Sequence, residues 1–155
     1  MSGTHGEVES VTAPHLVDLL TRRAGTQPDK VVFSFLSDDE EGEEKRLTFG
    51  ELDRRARRIA AELQGRRLAG ERALLLYPPG LDFIATFFGC LYAGVVAVPA
   101  HLPRVNRPMP RLRAIVADAA PAALLTTVGV ADPDRWAVGV PELAGVPCLA
   151  TDALD

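Results

Sequence analysis

The sequence predicts an α/β fold: a doubly wound, mostly parallel sheet with flanking helices. Two patterns point to it. Short apolar runs at 72–77, 95–98 and 122–127 carry almost no charge, as strands buried on both faces do. Between them lie stretches of helical periodicity, so each strand feeds a helix that crosses back to a parallel neighbour. A length of 155 residues, 47% hydrophobic and 25% charged, suits one hydrophobic core, and no internal repeat is visible.

Residues 1–13 show no apolar period and are expected to form a flexible tail, leaving 14–155 as the domain. Pro14 suits a first helical turn, Leu16, Leu19 and Leu20 share a face, and Arg22, Arg23 and Gly25 close that helix. After the turn Gln27-Pro28-Asp29-Lys30, residues 31–36 are rich in Val and Phe and read as a strand. The acidic run at 38–44 reads as a solvated loop. It has no His or Cys beside it, and no metal site is expected there.

The next helix carries the most explicit start signal. Thr48 and Glu51 have capping-box spacing, and Leu47 and Leu52 bracket the cap. Leu52, Ala56, Ile59, Ala60 and Leu63 share one face. Arg54, Arg55, Arg57 and Arg58 fall opposite, with Glu51 and Asp53 four residues ahead of Arg55 and Arg57. They are expected to form the solvated side.

Beyond the 72–77 strand, Pro78-Pro79-Gly80 breaks the run. A helix over 81–93 is apolar all round, as an enclosed helix would be, and Phe88 is expected in its buried part. The uncharged stretch 83–100 also has the length of a membrane span. Gly94 at a helix C-cap, the β-branched residues after it and Pro99 favour a helix followed by a strand. A connection with Pro99, Pro103, Pro108 and Pro110 leads to a helix at 111–119 and the strand 122–127. A turn follows at 132–134, the pattern weakens, and a short strand at 146–150 closes the chain.

The net charge of −4 argues against a nucleic-acid binder. Cys90 and Cys148 lack C-x-x-C spacing and fit a reducing cytoplasm, with Cys90 expected to be a small buried apolar residue. The polar N-terminus is not a signal peptide. In doubly wound sheets, ligands bind beyond the carboxyl ends of the strands. Tyr77, Gly80 and His101 are therefore the candidate substrate-binding residues. There is no G-x-G-x-x-G, no Walker loop, no G-x-S-x-G elbow and no zinc spacing, and the only lysines are Lys30 and Lys45. No catalytic residue and no metal ligand is assigned.

The runs Leu47-Thr48-Phe49-Gly50-Glu51-Leu52 and Leu91-Tyr92-Ala93-Gly94-Val95-Val96-Ala97-Val98-Pro99 resemble the first two core motifs of the acyl-adenylate-forming enzymes. The longer string 74–100 resembles the fatty-acyl-AMP ligases most, and the ending 147–155 resembles the segment leading into that family's next stretch. The resemblance implies the start of a large N-terminal α/β domain. Its members activate a fatty acid with ATP and Mg²⁺ to an acyl-adenylate, then pass the acyl group to an acyl carrier protein. It also implies that the rest of the adenylation domain supplies the phosphate loop, the adenine contacts and a C-terminal lysine. Residues 1–155 alone are then expected to be inactive. The chain departs from the family at His101 and Leu102, where a tyrosine and a proline are expected. An acyl-CoA ligase segment is the near alternative, and a non-catalytic α/β interaction module the alternative from another class.

Overall fold

The computed structural model describes residues 15–37, 42–104 and 108–154. The expected tail, Pro14 and the first part of the acidic run lie outside them. The described chain runs α1 (Leu16–Thr26), β1 (Val31–Leu36), β2 (Glu44–Thr48), α2 (Phe49–Gly65), β3 (Arg72–Tyr77) and α3 (Leu81–Ala93). It continues through β4 (Val96–His101), α4 (Pro110–Ala119), β5 (Ala123–Thr126), α5 (Pro133–Gly139) and β6 (Cys148–Ala150).

Four strands form a fully parallel sheet in the order β4-β3-β5-β6. Alternate residues of β3 feed opposite cores. Ala73, Leu75 and Tyr77 pack with α2 and α3, whereas Leu74 and Leu76 pack with Leu112 and Val116 of α4 and Trp136 of α5. That alternation is the double winding the apolar runs imply. β4 is an edge strand that extends through Pro99 to His101, further than its β-branched run suggests. An edge position tolerates the missing proline N–H.

α2 starts as its sequence dictates. The Thr48 N–H donates to Glu51 Oε2 at 2.9 Å, and the Glu51 N–H donates to Thr48 Oγ1 at 3.2 Å. All five apolar residues assigned to its inner face are buried. Arg54, Arg57 and Arg58 are exposed as expected, and Arg55 is half-buried. Arg55 reaches across to Asp82 of α3, and Arg57 pairs with Asp53 at 2.7 Å while lying over the Tyr92 ring.

The 83–100 stretch divides at Gly94, whose φ of 70° ends α3 in a left-handed cap. Among the described residues no helix is long and apolar enough to cross a membrane. α3 is not enclosed on all sides. Its buried face is made of the small residues Ala85, Thr86, Gly89, Cys90 and Ala93, because α2 approaches that side closely. Phe88 is therefore only partly buried, against the expectation from sequence. Cys90 is fully buried, and desolvation pushes its thiol up to about 12.

Two elements escaped the sequence pattern. β2 pairs antiparallel with β1 although Glu44, Lys45 and Arg46 are exposed; Leu47 is its one buried residue. α5 is only seven residues long, too short for a period to show. Its start was nonetheless written in Asp132-Pro133. Asp132 caps the Arg135 N–H at 3.0 Å and Pro133 occupies the first turn.

Candidate functional site

β3 and β5 are neighbours in the sheet, yet the chain leaves them toward opposite faces, into α3 and α5 respectively. Such a reversal opens a crevice beyond the strand ends, where ligands of doubly wound sheets bind. Its walls are the loop 78–80 after β3, the loop 127–131 after β5 and the turn Thr151–Ala153 after β6.

The first wall turns at Gly80, whose φ of 156° and ψ of −177° belong to glycine alone. It is also the α3 N-cap and offers no side-chain cap to the helix. The second wall is held by its own backbone. The N–H groups of Val130 and Ala131 both donate to Thr127 O, at 3.0 and 2.9 Å, and the Val128 N–H donates to Asp152 Oδ1 at 2.8 Å.

Beneath the walls lies a buried hydroxyl cluster. Thr151 Oγ1 donates to Thr126 O at 3.4 Å. A hydroxyl has one proton and two lone pairs, so Thr151 then accepts from Tyr77 at 2.8 Å and from Thr86 at 2.9 Å. Thr126 in turn donates to Leu76 O. The cluster ties β3, α3, β5 and the turn after β6, and every hydroxyl in it is used. Burial raises the Tyr77 phenol further above its ordinary value and keeps it protonated.

The three candidates meet around one hollow of about 340 Å³, lined by Tyr77, Pro78, Gly80, Ala100, His101 and Leu102. Tyr77 contributes its ring, edge-on to Phe83 at 6.2 Å, while its hydroxyl belongs to the buried cluster. His101, in register with Tyr77 on the neighbouring strand, is exposed at the rim. Sequence reasoning missed Thr86, Thr126, Thr151 and Asp152. The Thr126-Thr127 pair ending an apolar run and Thr151-Asp152 after β6 were the available signals.

The donor set does not suit Mg²⁺. Among the described residues no group of three His, Cys, Asp or Glu side chains could hold a metal. The carboxylates near the crevice are already engaged, Asp82 by Arg55 and Asp152 by the Val128 N–H. No step is therefore assigned to a metal held by these residues.

Residues 20–153 match the family described as AMP-binding enzyme. Medium-chain-fatty-acid–[acyl-carrier-protein] ligase JamA of Moorena producens is 52% identical over 114 residues, 72% of this chain and 19% of that protein. Long-chain-fatty-acid–AMP ligase FadD23 of Mycobacterium tuberculosis is 35% identical over 140 residues, 88% of this chain and 24% of that protein. The structure of fatty acyl-adenylate ligase from L. pneumophila, in complex with acyl adenylate and pyrophosphate, superposes with a TM-score of 0.78. It shares 32% identity over 90% of this chain and 23% of its own. The chain thus spans a fifth to a quarter of the length of these relatives. With nearly all of its described fold inside the matched span, the chain belongs to the AMP-binding enzyme family.

Proposed function

We propose that this chain is the N-terminal part of a fatty-acyl-AMP ligase, which joins a fatty acid to the α-phosphate of ATP with release of pyrophosphate, then passes the acyl group to an acyl carrier protein with release of AMP. The observation that carries the reading is the 52% identity with JamA, which runs well above that of the other relatives compared. The role of residues 15–154 in that reaction is positional. The threonine-centred cluster fixes the ends of β3, β5 and β6 relative to one another, so the crevice keeps its shape when the rest of the adenylation domain closes on it. Transition-state charge on the phosphate must be met by cations and fixed donors. Among the described residues no group of three His, Cys, Asp or Glu side chains could hold a metal, and the sequence has no Walker loop; in this reading other parts of the protein carry the nucleotide chemistry.

Pyrophosphate exchange into ATP with a fatty acid and Mg²⁺ tests the reading. Residues 1–155 alone are expected to be silent, and the complete protein active. A silent complete protein at saturating fatty acid would move the interaction-module reading ahead. A second reading, transfer to coenzyme A, is favoured by the 36% identity with the putative fatty-acid–CoA ligase FadD21 of Mycobacterium tuberculosis. Offering the acyl-adenylate to CoA and to holo carrier protein in parallel separates the two acceptors.

A further inference from the structure

We propose that Arg55 is a positioning residue for the crevice: through Asp82 it sets where the loop 78–80 stands, and with it the width of the opening a substrate enters. It deepens the ligase reading and rests on it only for the reaction that serves as one readout. The start of α2 decides which arginine is available. Glu51 and Asp53 each stand four residues ahead of an arginine, Arg55 and Arg57. Asp53 takes its partner, with Arg57 Nε at 2.7 Å. Glu51 is committed elsewhere, because its carboxylate accepts the Thr48 N–H in the capping box. Arg55 instead crosses to the first turn of α3, where its Nη2 donates to Asp82 Oδ1. Among Arg54, Arg55, Arg57 and Arg58 it alone is half-buried. Partial shielding from water makes such a charge-assisted bond count for more than an exposed pair.

The walls of the crevice are held in different ways. The wall 127–131 carries its own hydrogen bonds on Thr127 O, and Asp152 ties it to the turn after β6. The wall 78–80 has no such support. Pro78 and Pro79 have no N–H, and among the described residues no loop hydrogen bond involves the backbone of 78–80. Gly80, in a conformation open to glycine alone, adds freedom rather than restraint. The loop is therefore held at its two ends. One end is Tyr77, whose hydroxyl is fixed on Thr151 at 2.8 Å. The other is the first turn of α3, where Asp82 stands two residues after Gly80 and meets Arg55. Phe83, next in the chain, lines the hollow together with Pro78 and Gly80, so a shift of this turn changes the opening directly.

Without Arg55 the binding-competent pose of the loop becomes one of several, and a substrate must select it. Selection of this kind raises KM and leaves kcat at saturation alone. In the complete protein, Arg55→Met keeps the apolar stem and removes the charge. It is expected to raise KM for fatty acid or for ATP at least about fivefold, with kcat within about twofold of wild type. Asp82→Asn, nearly isosteric, should do the same. The double variant should be no worse than the stronger single, since the two residues act as one unit. Arg58→Met, exposed on the same helix, should leave both KM values unchanged. A loss of folded protein alone would lower the apparent kcat and spare KM.

A second readout needs no reaction. In nitrogen-15 relaxation of the 155-residue chain, order parameters at Gly80 and Leu81 should fall from about 0.85 to below about 0.6 in Arg55→Met and Asp82→Asn, with Val130 and Ala131 unchanged. Unchanged order at Gly80 and Leu81 in both variants, or KM values for both substrates that match wild type, would overturn the proposal. A complete wild-type protein that exchanges no pyrophosphate, while the loss of order is seen, removes only the ligase reading.

Discussion

Gly89 of α3 lies so close to Ile59 of α2 that a Cβ on the glycine would sit 2.6 Å from the isoleucine Cγ2. The two helices approach because α3 turns its small residues toward α2, and the aromatic residues are displaced to its flanks. Gly89→Ala should therefore lower stability by about 1–3 kcal/mol through overpacking. Gly25→Ala in α1, where nothing stands within 4 Å of the new methyl, should raise it by about 0.5–1 kcal/mol. Urea midpoints of the two variants check the pair, and equal shifts would speak against the close approach.

Trp136 is 1% exposed, and its indole N–H donates to Val130 O at 3.2 Å. Trp136→Ala should cost about 3–5 kcal/mol. Phe88→Ala should cost only about 1–2 kcal/mol, because a partly buried ring loses less contact with the core. Denaturation of both variants under one condition gives the order; a larger loss at Phe88 would mean α3 is more enclosed than described.

Thr151→Val deletes the shared acceptor of Tyr77 and Thr86 while keeping the shape, leaving buried hydroxyls without partners at about 1–3 kcal/mol each. Tyr77→Phe removes only one donor, and Thr151 keeps Thr86. The double variant should then lose less than the sum of the two singles. Strict additivity, measured by the same unfolding method, would separate the two hydroxyls.

The Thr48 backbone N–H bound to Glu51 holds that carboxyl below its ordinary value. A group whose folded value is lowered contributes stability above the ordinary carboxylate range, and loses it as pH falls through the lowered value. Glu51→Gln keeps an oxygen for the capping bond and cannot titrate. Between pH 7 and pH 3 the wild-type chain should lose more stability than this variant, as read by urea midpoints at both pH values.

These relationships were unevenly legible in the sequence. The Thr48–Glu51 cap and the break at Gly94 could be read directly, since each depends on a few residues close together in the chain. The orientation of α3 could not, because apolar content alone does not say which side a neighbour approaches. The charges of β2 hid a strand whose core contact is Leu47 alone. The hydroxyl cluster brings Thr151 to Thr126 across 25 residues and to Thr86 across 65, which no local spacing encodes. Tyr77, Gly80 and His101 were found as a group because strand ends are a property of topology, which the alternating pattern does carry.

The sheet order also sets a timetable for synthesis. β3 finds β4 on one side within 30 residues, but its other side waits for β5, whose last residue is Thr126, and the second core waits for Trp136. Until then an emerging chain carries an open parallel edge with Leu74 and Leu76 lacking the cover that Trp136 supplies, a surface that pairs readily with other chains. A chain ended after Pro121 should therefore run as oligomers in size-exclusion chromatography where the 155-residue chain does not. β3, paired on both sides in the finished sheet, is the strand whose pairing takes longest to complete.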